Sequence, residues 1–195
     1  MTIQSEHQIA FKEWACIVKV LGQGKQILIL RKGGIREEGG EFQVEYDEFF
    51  LFPTYEHQKK SDLKPQAHRE LDLSIQEKPG SGQIPIQYYA KAAGVLHLTE
   101  ESDLERLSPY HVWSDQAVRQ RFEFGRQKGL FALAVRIFQL PAAHWIPSDP
   151  EYGGCKSWVS LKQKPAAKGA QAVLSDPDFN QKWREISSLF PSFTP

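Results

Sequence analysis

Short runs of apolar residues, separated by polar and glycine-containing stretches, set the pattern along this chain. Runs that are continuously apolar, or that alternate with polar residues, are typical of β-strands. They predict strands over residues 26–30, 42–44, 49–52, 84–98, 130–140 and 157–161. The run that ends at Leu30 has four consecutive apolar residues, which predicts a strand covered on both faces. Gly94 is expected to bend the strand over residues 84–98.

Apolar residues at helical spacing are less frequent than these strand-like runs. Phe11, Trp14, Val18 and Leu21 have this spacing and predict a helix over residues 10–21. A β-hairpin over the same residues is the alternative, because several of them are β-branched. Further helices are predicted over residues 67–73, 100–107 and 114–122 and after residue 175, the last three capped by Thr99, Ser114 and Ser175.

The order of these elements predicts the fold class. Strands outweigh helices and do not alternate with them regularly, which favours an α+β fold. We predict a curled, mostly antiparallel sheet, or a small partly open β-barrel, with helices packed on its outside. A chain of 195 residues has the length of one ordinary domain, so residues 1–195 are predicted to form a single domain.

Composition and charge narrow the classes of partner. Lysine and arginine together number 24, as do aspartate and glutamate, so no whole-molecule attraction to nucleic acid or an anionic membrane is expected. Any polyanion has to be bound by a local cluster of basic residues. Two cysteines provide no disulfide framework, and the polar N-terminus lacks the plan of a secretory signal. These features predict a cytoplasmic protein without a membrane span.

A basic and glycine-rich segment, Arg31-Lys32-Gly33-Gly34, follows a predicted buried strand. Paired glycines allow left-handed backbone angles, which turn successive N–H groups toward an anion. Arg31 can in addition hold a phosphate or carboxylate through two parallel hydrogen bonds. The segment therefore predicts an anion site. A basic strand end followed by a tight glycine turn is the alternative interpretation.

Polar side chains also follow the strand over residues 49–52. Thr54, His57 and Gln58 are expected to place hydrogen-bonding groups together at a sheet edge, although Thr54 also suits the N-cap of a helix. Arg136 interrupts the apolar strand over residues 130–140, and a buried cation needs a partner. An internal carboxylate, such as Glu13 or Glu56, is the expected partner, with a bound anion as the alternative.

The two arginines are expected to differ in their effect on stability. Arg31, at a strand end, is expected to contribute little. Arg136, predicted to be buried with its partner, is expected to contribute more.

No metal and no cofactor is predicted, because the six histidines are scattered and match no common ligand spacing. Asp47 with Glu56-His57-Gln58 is similar in part to the carboxylate arrangement that holds magnesium in restriction enzymes. A small metal-dependent nuclease or hydrolase is therefore one alternative function. A protein-interaction or structural role, through aromatic residues of the last helix, is another.

Several motifs occur in a specific order along the chain. They are Phe11-Lys12-Glu13-Trp14, Leu30-Arg31-Lys32-Gly33-Gly34-Ile35, Leu51-Phe52-Pro53-Thr54 with His57-Gln58, His111-Val112-Trp113-Ser114, Val135-Arg136 and Gly154-Cys155-Lys156-Ser157-Trp158. In this order they resemble a bacterial family known as domain of unknown function 1802. The resemblance covers a core of residues 8–162, with residues 163–195 as a linker and C-terminal helix. It implies no established activity, but some relatives are linked with restriction-endonuclease-type domains, which implies DNA-related biology.

A weaker resemblance concerns the PUA-like and ASCH barrels, which bind RNA or modified nucleotides. The predicted first helix, Gly24-Lys25, the following strand and Arg31 look like the opening of these domains. The usual Gly-x-Lys-x-x-Glu-x-Arg signature of ASCH domains is not reproduced, because Gly24 and Lys25 are adjacent. No catalytic residue is therefore carried over.

Together these observations predict a nucleic-acid- or nucleotide-binding module. Its site is predicted to contain Arg31, Lys32, Gly33, Gly34, Thr54, His57, Gln58 and Arg136. Tyr55 or Trp113 is expected to stack a base. The sequence favours binding over catalysis, and no catalytic residue is predicted.

Overall fold

The computed structural model describes residues 8–32, 46–80, 82–125, 127–154 and 156–190. The strands are β1 (Ile9–Trp14), β2 (Leu28–Arg31), β3 (Glu48–Thr54), β4 (Gln83–Leu98), β5 (Leu130–Pro147), β6 (Trp158–Ser160) and β7 (Gln171–Ala172). The α-helices are α1 (Ala15–Gly22), α2 (His68–Gln76), α3 (Glu101–Leu107), α4 (Asp115–Glu123) and α5 (Asp176–Leu189). The strand predicted over residues 42–44 lies outside the described residues, as do Gly33 and Gly34.

The strands form one sheet in the order β2-β5-β4-β3-β1-β6, with β7 beside β5. Neighbouring strands are antiparallel, except that β1 and β3 are parallel. Three strands separate β2 from β1 in this order, yet Arg31 of β2 donates a hydrogen bond to the carbonyl of Lys12 in β1. The sheet therefore curls into a half-barrel. This confirms the predicted α+β fold with a curled, mostly antiparallel sheet.

The helix or hairpin predicted over residues 10–21 is wrong in its first half. Ile9–Trp14 is a strand between β3 and β6, and α1 begins only at Ala15. Ala10 and Phe11 point to opposite faces of β1, and both are fully buried. A strand covered on both faces does not alternate between apolar and polar residues. Its apolar positions can therefore fall at helical spacing, and only the hydrogen bonds of its two neighbours define it as a strand.

Most other predicted elements are present with shifted bounds. The strand predicted over residues 130–140 continues to Pro147, because its last residues pair with the beginning of β4. A register shift between Ala92 and Gly94 interrupts β4 where the bend was expected. The hydroxyls of Ser114 and Ser175 cap α4 and α5 as predicted. The cap predicted for α3 is wrong, because Glu100 and not Thr99 precedes the first helical residue.

Two clusters of buried side chains pack against the two faces of the sheet. Phe49 and Phe50 are consecutive residues of β3, and they belong to different clusters. The larger cluster, with Phe49, also contains Ile17 of α1, Ile29 of β2 and Phe179 of α5. The C-terminal helix is therefore docked in the main core. Among the described residues, none of the helices combines the length and the apolar character needed to cross a bilayer.

The pairing between β3 and β4 is short, and this opens the sheet. The two strands are paired at three positions only, the last of which joins Phe50 to Tyr89. Beyond this point each strand contains a proline, Pro53 in β3 and Pro85 in β4. Proline has no backbone N–H group to donate to a neighbouring strand. The two strands therefore separate, and a cleft remains between them.

Candidate functional site

The curl of the sheet brings the end of β2 against the end of β1. Arg31, the last residue of β2, lies with its Nη2 atom 3.6 Å from Oε2 of Glu13. Its guanidinium also lies over the ring of Phe11, at 4.7 Å from the ring centroid. Glu13 is only 1% exposed. Because a buried carboxylate without a cation is costly, the ion pair with Arg31 offsets part of the cost of burying Glu13.

A second arginine approaches the same carboxylate from α4. The guanidinium of Arg121 stacks on the ring of Trp113 at 3.6 Å and lies 5.7 Å from that of Trp14. The two indole rings are themselves in contact, with centroids 4.7 Å apart. We refer to Glu13, Trp14, Arg31, Trp113 and Arg121 as the arginine cluster. It combines two guanidinium groups, one carboxylate and two indoles.

Charges of both signs act on Arg121. Burial lowers the pKa of Arg121 below its ordinary value, and the charge of Arg31 lowers it further, whereas the charges of Glu13 and Asp62 oppose the change. An arginine still remains charged at neutral pH. Within the described part of the chain, Glu13 forms its salt bridge with Arg31, and Arg121 forms none. Of the two guanidinium groups, only that of Arg31 is thus within salt-bridge distance of a carboxylate among the described residues.

Thr54 and Gln58, two of the predicted site residues, border this cluster. Trp14 and Thr54 are paired across the parallel strands β1 and β3. The Thr54 hydroxyl donates to the carbonyl oxygen of Glu13 at 3.1 Å, and Oε1 of Gln58 accepts from the N–H of Cys16 at 2.9 Å. Both side chains thus hold the turn between β1 and α1. Thr54 ends a strand and does not cap a helix, which excludes its alternative interpretation.

Lys32 and His57 have other surroundings. The ammonium group of Lys32 donates to the carbonyls of Phe122, Gln127 and Gly129, at distances of 2.6–3.1 Å, and so closes the end of α4. His57 is exposed in a turn and has a φ of +62°, in the left-handed region. Neither side chain contributes to the arginine cluster.

Arg136 is also remote from the cluster, and its carboxylate partner is neither of the two residues named from the sequence. It pairs with Asp176 in the first turn of α5, and not with Glu13 or Glu56. Arg31 lies opposite Phe131 in the sheet, five residues along β5 from Arg136. At a rise of about 3.3 Å per residue, this is a separation of roughly 16 Å. The cavity beside Arg136 has a volume of about 10 Å³, which holds one water molecule and no larger ligand.

Of the eight predicted site residues, the fold thus brings together Arg31, Thr54 and Gln58. The sequence missed Arg121, because an arginine on a short polar helix is indistinguishable from an ordinary surface residue. From the sequence, Glu13 was named as a partner for Arg136 and not for Arg31. Trp113, which was expected to stack a base, is fully buried and stacks on Arg121. Trp14 is partly exposed and is the indole of the cluster that a ligand can reach.

The described residues offer little for the alternative functions. They contain no group of three or more histidine, cysteine, aspartate or glutamate side chains that could hold a metal ion. Glu56 is exposed and pairs with Lys78 at 3.1 Å. Burial, with a contribution from the charge of Glu13, raises the pKa of the Cys16 thiol to about 12, so this thiol is not a nucleophile at neutral pH. The apolar residues of α5 that were considered for an interaction surface are largely buried in the core.

Comparisons with known proteins give one family and one group of similar structures. The ASCH protein from Zymomonas mobilis is similar over 93% of this chain and 94% of its own, with 11% identity and a TM-score of 0.46. Two single-residue mutants of that protein are similar over 90% and 93% of this chain and 94% and 96% of their own, with 11% identity and TM-scores of 0.46 and 0.47. No curated protein matches the sequence.

The family comparison covers most of the chain. The model of the family described as "Domain of unknown function (DUF1802)" matches residues 10–185. This range includes all of β1 except Ile9, the other strands of the half-barrel and most of α5. The chain therefore belongs to the family of domain of unknown function 1802.

Proposed function

We propose that this protein binds nucleic acid or nucleotides through the arginine cluster, with a phosphate group at Arg31 and Arg121. The observation that carries the proposal is the position of Arg121. Its guanidinium is partly desolvated and stacked on Trp113, but it forms no salt bridge within the described residues. A desolvated cation without a paired anion is costly. A bound phosphate would remove this cost.

The chemistry of the two arginines supports phosphate as the bound group. A guanidinium group presents several N–H donors in a planar arrangement that matches the oxygen atoms of a phosphate. Nε of Arg31 is buried and has no hydrogen-bond partner among the described residues. The fixed ion pair with Glu13 orients the Arg31 side chain before any ligand binds. Less entropy is therefore lost when a ligand binds.

The indole rings support a nucleotide over a simple anion. Trp14 is partly exposed beside Arg121, and an exposed aromatic ring next to a cation is the combination that single-stranded nucleic acids bind. The balanced total charge of the protein limits the number of phosphates that it can attract. We expect one or two phosphates to be neutralised, which corresponds to a log–log salt slope of about −0.7 to −1.4 for a single strand.

Titration of fluorescent single-stranded RNA and DNA oligomers, followed by polarisation, tests this proposal. Arg121→Ala should weaken binding by about 10-fold to 150-fold, the value of a hydrogen bond to a charged group. Arg119→Ala is the matched control, because Arg119 lies on the same helix and pairs with Glu101 at 3.0 Å. It should bind as the wild type does.

A second variant separates binding from folding. Arg121→Lys keeps the positive charge but loses the planar group that stacks on Trp113. It should remain folded by thermal melting and should still bind more weakly than the wild type. Binding that is equal in the wild type, Arg121→Ala and Arg121→Lys would refute the proposal, as would a wild type that binds no oligomer at micromolar concentration.

A further inference from the structure

The cleft between β3 and β4 has a volume of about 250 Å³. The sheet forms one of its sides, where Pro53 and Pro85 lie on the two separated strands. The helices α1 and α2 form the other side and contribute Val18 and Ser74. This volume is many times the roughly 10–15 Å³ that holds one water molecule. It is below the range of about 300–1,000 Å³ found for drug-sized ligands. The cleft therefore has room for one small ring system.

Three aromatic side chains take part in the lining of this cleft. Tyr55, Tyr88 and Trp145 line it, together with the two prolines. Trp145 is 52% exposed, which is unusual for so large an apolar side chain. Planar rings favour offset-stacked or edge-to-face contacts with other rings. A planar ligand would therefore gain more in this cleft than an aliphatic one of the same size.

The polar groups of the cleft provide both donors and acceptors. Lys19 and Glu77 form an ion pair at its wall, and Gln87 adds an amide. Burial and the negative charge of Glu77 raise the pKa of both Tyr55 and Tyr88, so their hydroxyls remain protonated and can donate. A nucleobase carries donors and acceptors around the edge of a flat ring. Its chemistry matches both the faces and the polar groups of the cleft.

The cleft begins where the arginine cluster ends. Ala15 and Tyr55 line the cleft, and each directly follows a residue that belongs to or borders the cluster, Trp14 and Thr54 respectively. Consecutive Cα atoms are about 3.8 Å apart, so the backbone of the cluster continues directly into that of the cleft. We infer that the cleft is a pocket for one unpaired nucleobase of the same strand whose phosphate lies at the arginine cluster. This inference rests on the function proposed above.

The pocket has a consequence for the type of nucleic acid that binds. A base can enter it only when it is neither paired nor stacked in a duplex, because extraction from a duplex costs a few kcal/mol. The protein should therefore prefer single strands to duplexes of the same sequence. A nucleic-acid backbone without bases should lose the affinity that the pocket contributes and keep the affinity that the arginine cluster contributes.

The experiment uses the full chain and polarisation titrations with three probes: a single-stranded DNA heptamer, its duplex and a deoxyribose-phosphate heptamer without bases. Trp145→Ala should weaken binding of the single strand by about 5-fold to 150-fold, the range for loss of one base–aromatic stack. Ile75→Ala is the matched control, because Ile75 is similarly exposed, at 57%, and belongs to α2 but does not line the cleft. It should bind as the wild type does.

The probe without bases distinguishes the two proposals. It should bind the wild type and Trp145→Ala equally, and Arg121→Ala more weakly. If the single strand binds the wild type and Trp145→Ala with the same affinity while Arg121→Ala loses affinity, the base pocket is refuted and the phosphate site remains. If no probe binds the wild type, both proposals are refuted. Tyr55→Phe, which keeps the ring but removes one hydroxyl donor of the pocket, should weaken binding of the single strand and leave binding of the probe without bases unchanged, and it provides this test even if Trp145→Ala is poorly folded.

Discussion

Replacement of Arg31 by alanine tests whether the arginine cluster also stabilises the fold. The side chain of Arg31 is 24% exposed, and that of its partner Glu13 is 1% exposed. Removal of the arginine leaves a buried carboxylate without its salt bridge, a change that typically costs about 3–5 kcal/mol. Arg121 is close enough to compensate in part, so we expect the lower end of this range, about 3 kcal/mol. For a chain of this length, that corresponds to a decrease in Tm of about 6–12 °C.

A double-mutant cycle assigns this loss to the ion pair. Urea denaturation of Arg31→Ala, Glu13→Gln and the double variant measures the free energy of unfolding of each. The double variant should recover most of the stability lost in Arg31→Ala, because the glutamine is uncharged and can still accept the hydrogen bond from the N–H of Trp14. Lys78→Ala, which breaks the exposed pair with Glu56, is the control and should cost less than about 1 kcal/mol.

The outcome separates two views of Arg31. From the sequence, a cation at the end of a strand is expected to contribute little to stability. If Arg31→Ala unfolds at the same urea concentration as the wild type, that view is correct and Glu13 does not depend on its neighbour. If the double variant is no more stable than Arg31→Ala, the loss comes from packing on Phe11 and not from the buried charge.

Two further predictions concern stability away from the site. Burial, together with the charge of Lys64, lowers the pKa of His111 from 6.5 to about 4, so the unfolded chain takes up a proton at a higher pH than the folded chain does. The contribution of His111 to the free energy of unfolding should be fully present above about pH 6.5. It should decrease by about 3 kcal/mol in total as the pH falls toward 4, as measured by urea denaturation. An equally steep pH dependence in His111→Gln would contradict this. Phe179→Ala should cost about 3–5 kcal/mol, and Trp183→Ala less, because Phe179 is buried while Trp183 is partly exposed. Unchanged unfolding of Phe179→Ala would show that α5 is not docked in the core.

The sequence by itself determined the elements whose stabilising interactions are local. The four consecutive apolar residues that end at Leu30 predict a buried strand without reference to distant parts of the chain, and the structure has a buried strand there. Ser114 and Ser175 accept hydrogen bonds from N–H groups three residues ahead, so their capping role depends on a few neighbouring residues only. The predominance of strands over helices was likewise sufficient for the α+β fold class.

Only the tertiary structure decided the first element and the composition of the site. Residues 9–14 form a strand because β3 and β6 supply hydrogen bonds from distant parts of the chain. The spacing of apolar residues within this segment contains no information about these partners. Glu13, Arg31 and Arg121 meet because the sheet curls and α4 packs over its end. Arg136 is excluded from this group by its register on β5. Charges interact according to distance in space, and the sequence specifies that distance only through the completed fold.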